Sequence, residues 1–372
     1  MKMLLPEMAA RAGRLVCFCP PGMPVEGAAR RGPFLLAAGF ALSVLAQTLA
    51  LGILPLGGLL LAPRAEHATL PYMAMLMGAA VATFPASFLL DSFGRRASFA
   101  LGASHGIAGG LVLAWALHAN AFLPFCLGAF WLGVAQGFGL FYRHEAAMGG
   151  GVMGRAMLVG AIFGSGALAG LLGPAIIGAG AFFATSSIFI PAACAAALVQ
   201  VCVLALSMFW GPHETQGVAA PSRAYDLGEA FAPTIVAAAA WFGMSALMLA
   251  SPSAILSCGI PAAGVAGFLA WHVVAMYAPG FGMGVLARFP GIKATALIGL
   301  ALVIASRLLL GGASEAFGIA LGLVVLAMGW SLATAASSLW LQQANPPRSI
   351  LALHDLLLLL SALAGAFLAA RL

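Results

Sequence analysis

Eleven long apolar runs leave this chain few folds to choose from. They cover roughly 34–62, 70–90, 97–117, 123–141, 157–178, 187–209, 230–250, 260–283, 294–311, 316–341 and 349–370, and the only formal charges inside them are Arg307 and Asp355. A run of about 20 apolar residues can hide its backbone N–H and C=O groups in hydrocarbon only as a helix, and runs of that length exclude a barrel. The expected fold class is therefore an all-α polytopic membrane protein. Composition agrees, because 63% hydrophobic and 7% charged residues with a mean hydropathy of +1.07 lie outside the range of soluble domains.

Residues 1–32 hold Lys2, Arg11, Arg14, Arg30 and Arg31 without a continuous apolar stretch. They read as a cytoplasmic N-terminal tail and not as a cleavable signal peptide. With that tail inside, 13 of the 16 Lys and Arg fall on the cytoplasmic side, and only Arg64, Arg307 and Arg371 lie toward the other. The positive-inside rule then places the N-terminus in the cytoplasm. The same asymmetry accounts for the net charge of +6 without a nucleic-acid partner. The longest internal polar stretch, 211–229, reads as a cytoplasmic linker between a six-span bundle at 33–210 and a C-terminal bundle at 230–372.

The two halves repeat. Phe88-Leu-Leu-Asp91-Ser-Phe-Gly94-Arg95-Arg96-Ala97 aligns with Val285-Leu-Ala-Arg288-Phe-Pro-Gly291-Ile-Lys293-Ala294 at a constant offset of 197. Gly94 matches Gly291 and Arg96 matches Lys293, whereas Asp91 meets Arg288. The first copy follows the pattern G-x-x-x-D-x-x-G-R-R, with Ser87 in place of the leading glycine. Motif, position and internal repeat together resemble the major facilitator superfamily over the whole chain. That resemblance implies a two-bundle transporter of about 11–12 transmembrane helices. It also implies that Asp91, Gly94, Arg95 and Arg96 form a gate, with Asp91 close to the start of the eleventh span at Ser349. Spans 1 and 10 are long enough to be divided differently, and Pro55 is the candidate break in span 1.

A second pattern lies between Met244 and Met276. Met244 and Met248 are four residues apart on span 7, and His272 and Met276 repeat that spacing on span 8. Residues i and i+4 share one helix face, so each pair directs two donor atoms the same way. Cys258 sits in the connection between the spans. Thioether, imidazole and thiol groups suit Cu(I) far better than Mg²⁺ or Ca²⁺. Chance placement of 16 Met in 372 residues gives roughly 0.6 Met-x-x-x-Met pairs, whereas the chain has three. The other two are Met73/Met77 and Met153/Met157; with His144/Met148 they form a candidate metal relay at the two ends of the bundle. Packing is the alternative for every pair, since methionine is an ordinary filler of apolar cores.

Order, spacing and span number of the central pairs resemble the CcoA-type (CalT-like) copper importers of the same superfamily. The resemblance implies Met244, Met248, His272 and Met276 as metal ligands with Cys258 accessory, in a bacterial inner-membrane protein that supplies copper to cbb3-type cytochrome oxidase assembly. The implied partners are the copper ion as cargo, the lipid bilayer, and a cytoplasmic copper chaperone or oxidase assembly factor. Helical rise puts Met248 and Met244 about 5 and 10 Å below the outer end of span 7, and His272 and Met276 about 18 and 24 Å below that of span 8. That spacing reads as a ladder or as one site. Two other readings stand beside import of copper: a carrier of a small organic solute or drug with a Met-rich pocket, and a non-transporting partner that hands copper on. No nucleophile–base pair or phosphate-binding glycine loop is present, so neither an enzyme nor a resident cofactor is expected.

Overall fold

A computed structural model describes residues 26–148, 151–183, 189–210, 225–257, 262–313 and 315–370, and all regular structure among them is helical. Helix α1 is Glu26–Leu61, and Pro55 lies inside it without ending it. Leu70–His118 is written as one helix but is broken at Gly94, which divides it into α2 (70–93) and α3 (95–118). Next come α4 (Phe122–Gly139, continued by Phe141–Ala146), α5 (Val152–Ser165 and Ala167–Phe183) and α6 (Phe189–Ser207). The second half holds α7 (Gly228–Ser257), α8 (Ala262–Tyr277), α9 (Ile292–Gly312), α10 (Ala316–Gln342) and α11 (Arg348–Ala369). Short helical turns from Ala278 to Gly291 join α8 to α9.

Among the described residues nine helical stretches are long and apolar enough to cross a membrane, and two of them are too long to cross once. Ala65–His118 has 54 residues and Ala270–Gly312 has 43, or about 80 and 65 Å of helix against a core of about 30 Å. Both reverse direction at a glycine. Gly94 has φ 79° and ψ −179°, and Gly291 has φ 104° and ψ 159°; only a residue without Cβ adopts that region freely. Across each reversal a hydroxyl reaches back to the preceding helix. Ser98 Oγ donates to the Ala86 carbonyl at 3.4 Å, and Thr295 Oγ1 to the Leu286 carbonyl at 3.3 Å. Ser98 and Thr295 stand at the same offset as the two glycines, so the sequence repeat is also a repeat of backbone and bonding.

The halves meet along α2 with α11 and α5 with α8. At Gly160 on α5 an added Cβ would sit 2.4 Å from the Gly280 carbonyl oxygen, so the two backbones touch with no room for a side chain. At the same end of the bundle, where α2 turns into α3, ionic contacts lock the halves together. Glu145, at the end of α4, accepts from Arg95 Nε at 2.6 Å and from Arg348 Nε at 2.8 Å. Arg348, the first residue of α11, also donates to Asp91 at 2.5 Å. Asp91 is close to the start of α11 as expected, but it pairs with Arg348 rather than resting on the helix start at Ser349. Arg95 lies over the Trp210 ring at 5.2 Å, and Arg96 is exposed with Nη2 3.5 Å from Met208 Sδ.

Two outcomes are expected. Gly94→Ala and Gly291→Ala should each lose about 1–3 kcal/mol, read as a lower unfolding temperature in detergent, while Gly32→Ala, with nothing within 4 Å of an added Cβ, should not. Glu145 is 3% exposed whereas the Asp91 side chain is 49% exposed. Removing a buried partner of two arginines costs about 3–5 kcal/mol and an exposed one about 0–1. Glu145→Gln should therefore make a cysteine placed at the fully buried Ala352 reactive toward a water-soluble thiol reagent, and Asp91→Asn should do so far less. Equal labelling in both variants would argue against Glu145 as the centre of the lock.

Candidate functional site

Above the lock, one cavity opens between the halves. Its walls come from α1, α2, α4 and α5 on one side and α7, α8 and α10 on the other. About 190 Å³ of it is open to the centres of water-sized spheres. At about 10–15 Å³ for each such centre it holds on the order of a dozen waters, more than a single ion site needs but below the roughly 300–1,000 Å³ of drug-sized ligand pockets. Five aromatic residues line it as a connected cluster: Phe40, Phe163, Trp241, Tyr277 and Trp330. Phe163 and Tyr277 are 5.1 Å apart by ring centroid, Trp241 and Trp330 5.3 Å, and Phe163 and Trp330 5.9 Å. Trp241 Nε1 donates to Thr334 Oγ1 at 3.0 Å, which satisfies the indole and fixes its ring. Toward the end opposite the lock, the Tyr72 hydroxyl and Ser245 Oγ approach to 3.3 Å across the two halves.

Met244, Met248, His272 and Met276 all line this cavity, so both expected pairs face the same space. Met244 is 8% exposed and His272 2%, and the His272 Nδ1 is 2.9 Å from the Leu323 carbonyl. A carbonyl only accepts, so Nδ1 carries the proton there and Nε2 is the nitrogen left to act as an acceptor or ligand. Cys258 lies outside the described residues. Among the described residues no cluster of three or more His, Cys, Asp or Glu is arranged to hold a metal ion.

The candidate relay divides. Met73 and Met77 are not part of the cavity wall; Met77 is 41% exposed, and it is Met75, 1% exposed, that lines the cavity. Residues 73 and 77 share a helix face, and 75 is on the opposite one. Met148 is half-buried, while Met153 and Met157 are 36% and 62% exposed on α5. His144 was expected in a loop after span 4. Instead α4 continues through Ala146, and His144 is fully buried. Its Nε2 is 3.0 Å from Asp355 Oδ2, and the Gln342 amide nitrogen is 3.1 Å from its Nδ1. Both ring nitrogens are thus taken up by protein partners, Nε2 by the carboxylate and Nδ1 by the amide, so neither is free for a metal.

The same extension of α4 carries Arg143, which the loop reading passed over. Its side chain is 1% exposed, lines the cavity, and donates from Nη2 to Oδ1 of Asp355. Asp355 is wholly buried on α11, so a buried ion pair joins the two halves at the cavity floor. A charge within the membrane normally faces a bundle interior and marks a pathway. The signal was present in the spacing: Gln136 and Arg143, both on the cavity wall, are seven residues apart and share a helix face.

No family model matches the chain. The riboflavin transporter RfnT of Brucella anthropi is 28% identical to it over 316 residues, which is 82% of this chain and 78% of that protein. Among solved structures, the human organic anion transporter MFSD10 (TETRAN) superposes with a TM-score of 0.71 at 16% identity, covering 94% of each chain. The proton:xylose symporter XylE, a major facilitator superfamily protein, superposes with a TM-score of 0.70 at 12% identity, covering 92% of this chain and 88% of that one. The finer resemblance to copper importers gains no support from these likenesses. They bear on architecture, and on it they agree: this chain is an all-α, multi-pass membrane protein with the two-bundle fold of the major facilitator transporters.

Proposed function

We propose that the chain carries a flat, largely apolar organic solute across a bacterial inner membrane by alternating access, with riboflavin the first molecule to test. The carrying observation is the cavity between the halves, lined by a cluster of five aromatic residues. Offset or edge-on contact with such rings is worth about 0.5–1.5 kcal/mol per pair beyond area burial. The relative that transports riboflavin adds weight, because riboflavin presents a planar ring system of that kind. With the basic end of the bundle cytoplasmic, the lock closes the inner side and the cavity faces outward, ready to load for import.

Import of copper remains the second reading, favoured by one observation: Met244, Met248, His272 and Met276 all face the cavity. A thioether-lined path holds Cu(I) without adding fixed charge. In that reading a chaperone or oxidase assembly factor takes the ion on the cytoplasmic side.

Uptake of riboflavin and of copper into proteoliposomes separates the two. Wild-type protein should take up riboflavin, and Trp330→Leu should slow that uptake roughly three- to tenfold. Leucine matches methionine in volume at under about 1.5 kcal/mol. The double variant Met244→Leu, Met248→Leu should therefore remain folded and retain riboflavin uptake. Copper uptake by wild-type protein that the double variant abolishes at unchanged abundance would move the assignment to copper.

A further inference from the structure

We infer that Arg143 selects the solute: its guanidinium takes a ring carbonyl on the edge of a flat, uncharged heteroaromatic solute while its Nη2 stays on Asp355. The inference rests on the organic-carrier reading and narrows it to solutes with a neutral acceptor edge. Among the described residues Asp355 is the one hydrogen-bond partner of Arg143, and its Nε is buried without any. A guanidinium has five N–H donors and keeps its proton; Nη2 is on Asp355 and Nε is buried, so Nη1 is the nitrogen left to meet the cavity that Arg143 lines. Donors at that surface bond water while the cavity is open, and a solute that displaces the water must supply an acceptor in its place.

The other unpaired atom on the wall has a local remedy. Gln136 Oε1 also has no partner, but Gln136 borders a second hollow of about 10 Å³ beside Gln47 and Gln200. That is room for about one water. Arg143 lies about 10 Å further along α4, lining the same cavity as Phe163, Tyr277 and Trp330. A solute lying against those rings turns its edge toward the guanidinium, whose planar fork suits an in-plane carbonyl.

Charge decides what kind of acceptor fits. Arg143 is already balanced by Asp355, and His144 and His354 packed there are buried; both nitrogens of His144 are engaged by Asp355 and Gln342, and His354 Nδ1 is 2.8 Å from Thr234 Oγ1. A carboxylate would bring in a charge that the Arg143–Asp355 pair leaves uncompensated, whereas a carbonyl brings none.

Binding to the purified full-length protein in detergent tests this with three flat tricyclic probes: lumichrome (ring carbonyls, neutral), acridine (no carbonyl) and anthracene-9-carboxylate (charged). Wild-type protein should bind lumichrome at least tenfold more tightly than either of the others, as expected for a hydrogen bond to a charged donor. Arg143→Lys keeps a cation for Asp355 but loses the fork. It should reduce the lumichrome advantage over acridine to below about threefold, with acridine affinity unchanged. Equal loss for both probes would mean that Arg143 only supports the fold, and an unchanged advantage would mean that it does not touch the solute. Should the variant not fold, the wild-type comparison still decides, since equal binding of lumichrome and acridine overturns the inference while leaving the carrier reading intact. Binding of none of these probes, nor of riboflavin, would remove the carrier reading itself.

Discussion

A single buried carboxylate ties this molecule together at one end. Glu145 is 3% exposed and is held between Arg95 of its own half and Arg348 of the other. A carboxylate taken out of water is stable only with its partners in place. Because those partners come from different halves, the contact is cooperative: partial separation leaves a charge both buried and half-paired. Intermediate spacings of the two halves are thereby disfavoured, and closed or fully parted arrangements are preferred. The backbone contact of Gly160 with Gly280 reinforces the same end by shape alone, since it has no room for a water layer.

Helix α4 connects that lock to the cavity. Gln136, Arg143, His144 and Glu145 follow one another along it, the first two on the cavity wall and the last in the lock. Arg143 and Glu145 are two residues apart on a continuous helical segment, Phe141–Ala146. Arg143 and His144 both bond Asp355 of α11, while Glu145 bonds Arg348 at the start of that same helix. One helix of each half thus carries both the floor of the cavity and the fastening beneath it. Displacement of α11 relative to α4 disturbs both sets of contacts together, and so does anything that changes how Arg143 shares its donors.

The sequence made some of this readable because the chemistry is local. Positive-φ backbone calls for glycine, so Gly94 and Gly291 announced two equivalent reversals 197 residues apart. Apolar runs announced the crossings, including the two pairs that helical assignment fuses. The i, i+4 pairs on α7 and α8 share a face and that face turned inward; the pair Met73/Met77 shares a face equally well, and Met77 turned outward. Spacing defines a face but not its direction. Arg143, His144 and Glu145 were the larger omission. Three polar residues after an apolar run look like a loop when each is considered alone, and what keeps them in a buried helix is Asp355 and Arg348, more than 200 residues away in sequence.

The two reversals share a backbone but not a chemistry. Where Asp91 meets Arg348, the equivalent residue Arg288 is exposed, and among the described residues it makes no ion pair. The duplicated halves have thus become unequal hinges. One turn is tied across the halves by a half-exposed ion pair, worth about 0–1 kcal/mol, and the other carries no such tie among the described residues. Two alike units have in this way kept one backbone while their charges diverged: the same turn fastens one half to the other at Asp91 and offers a bare cation at Arg288.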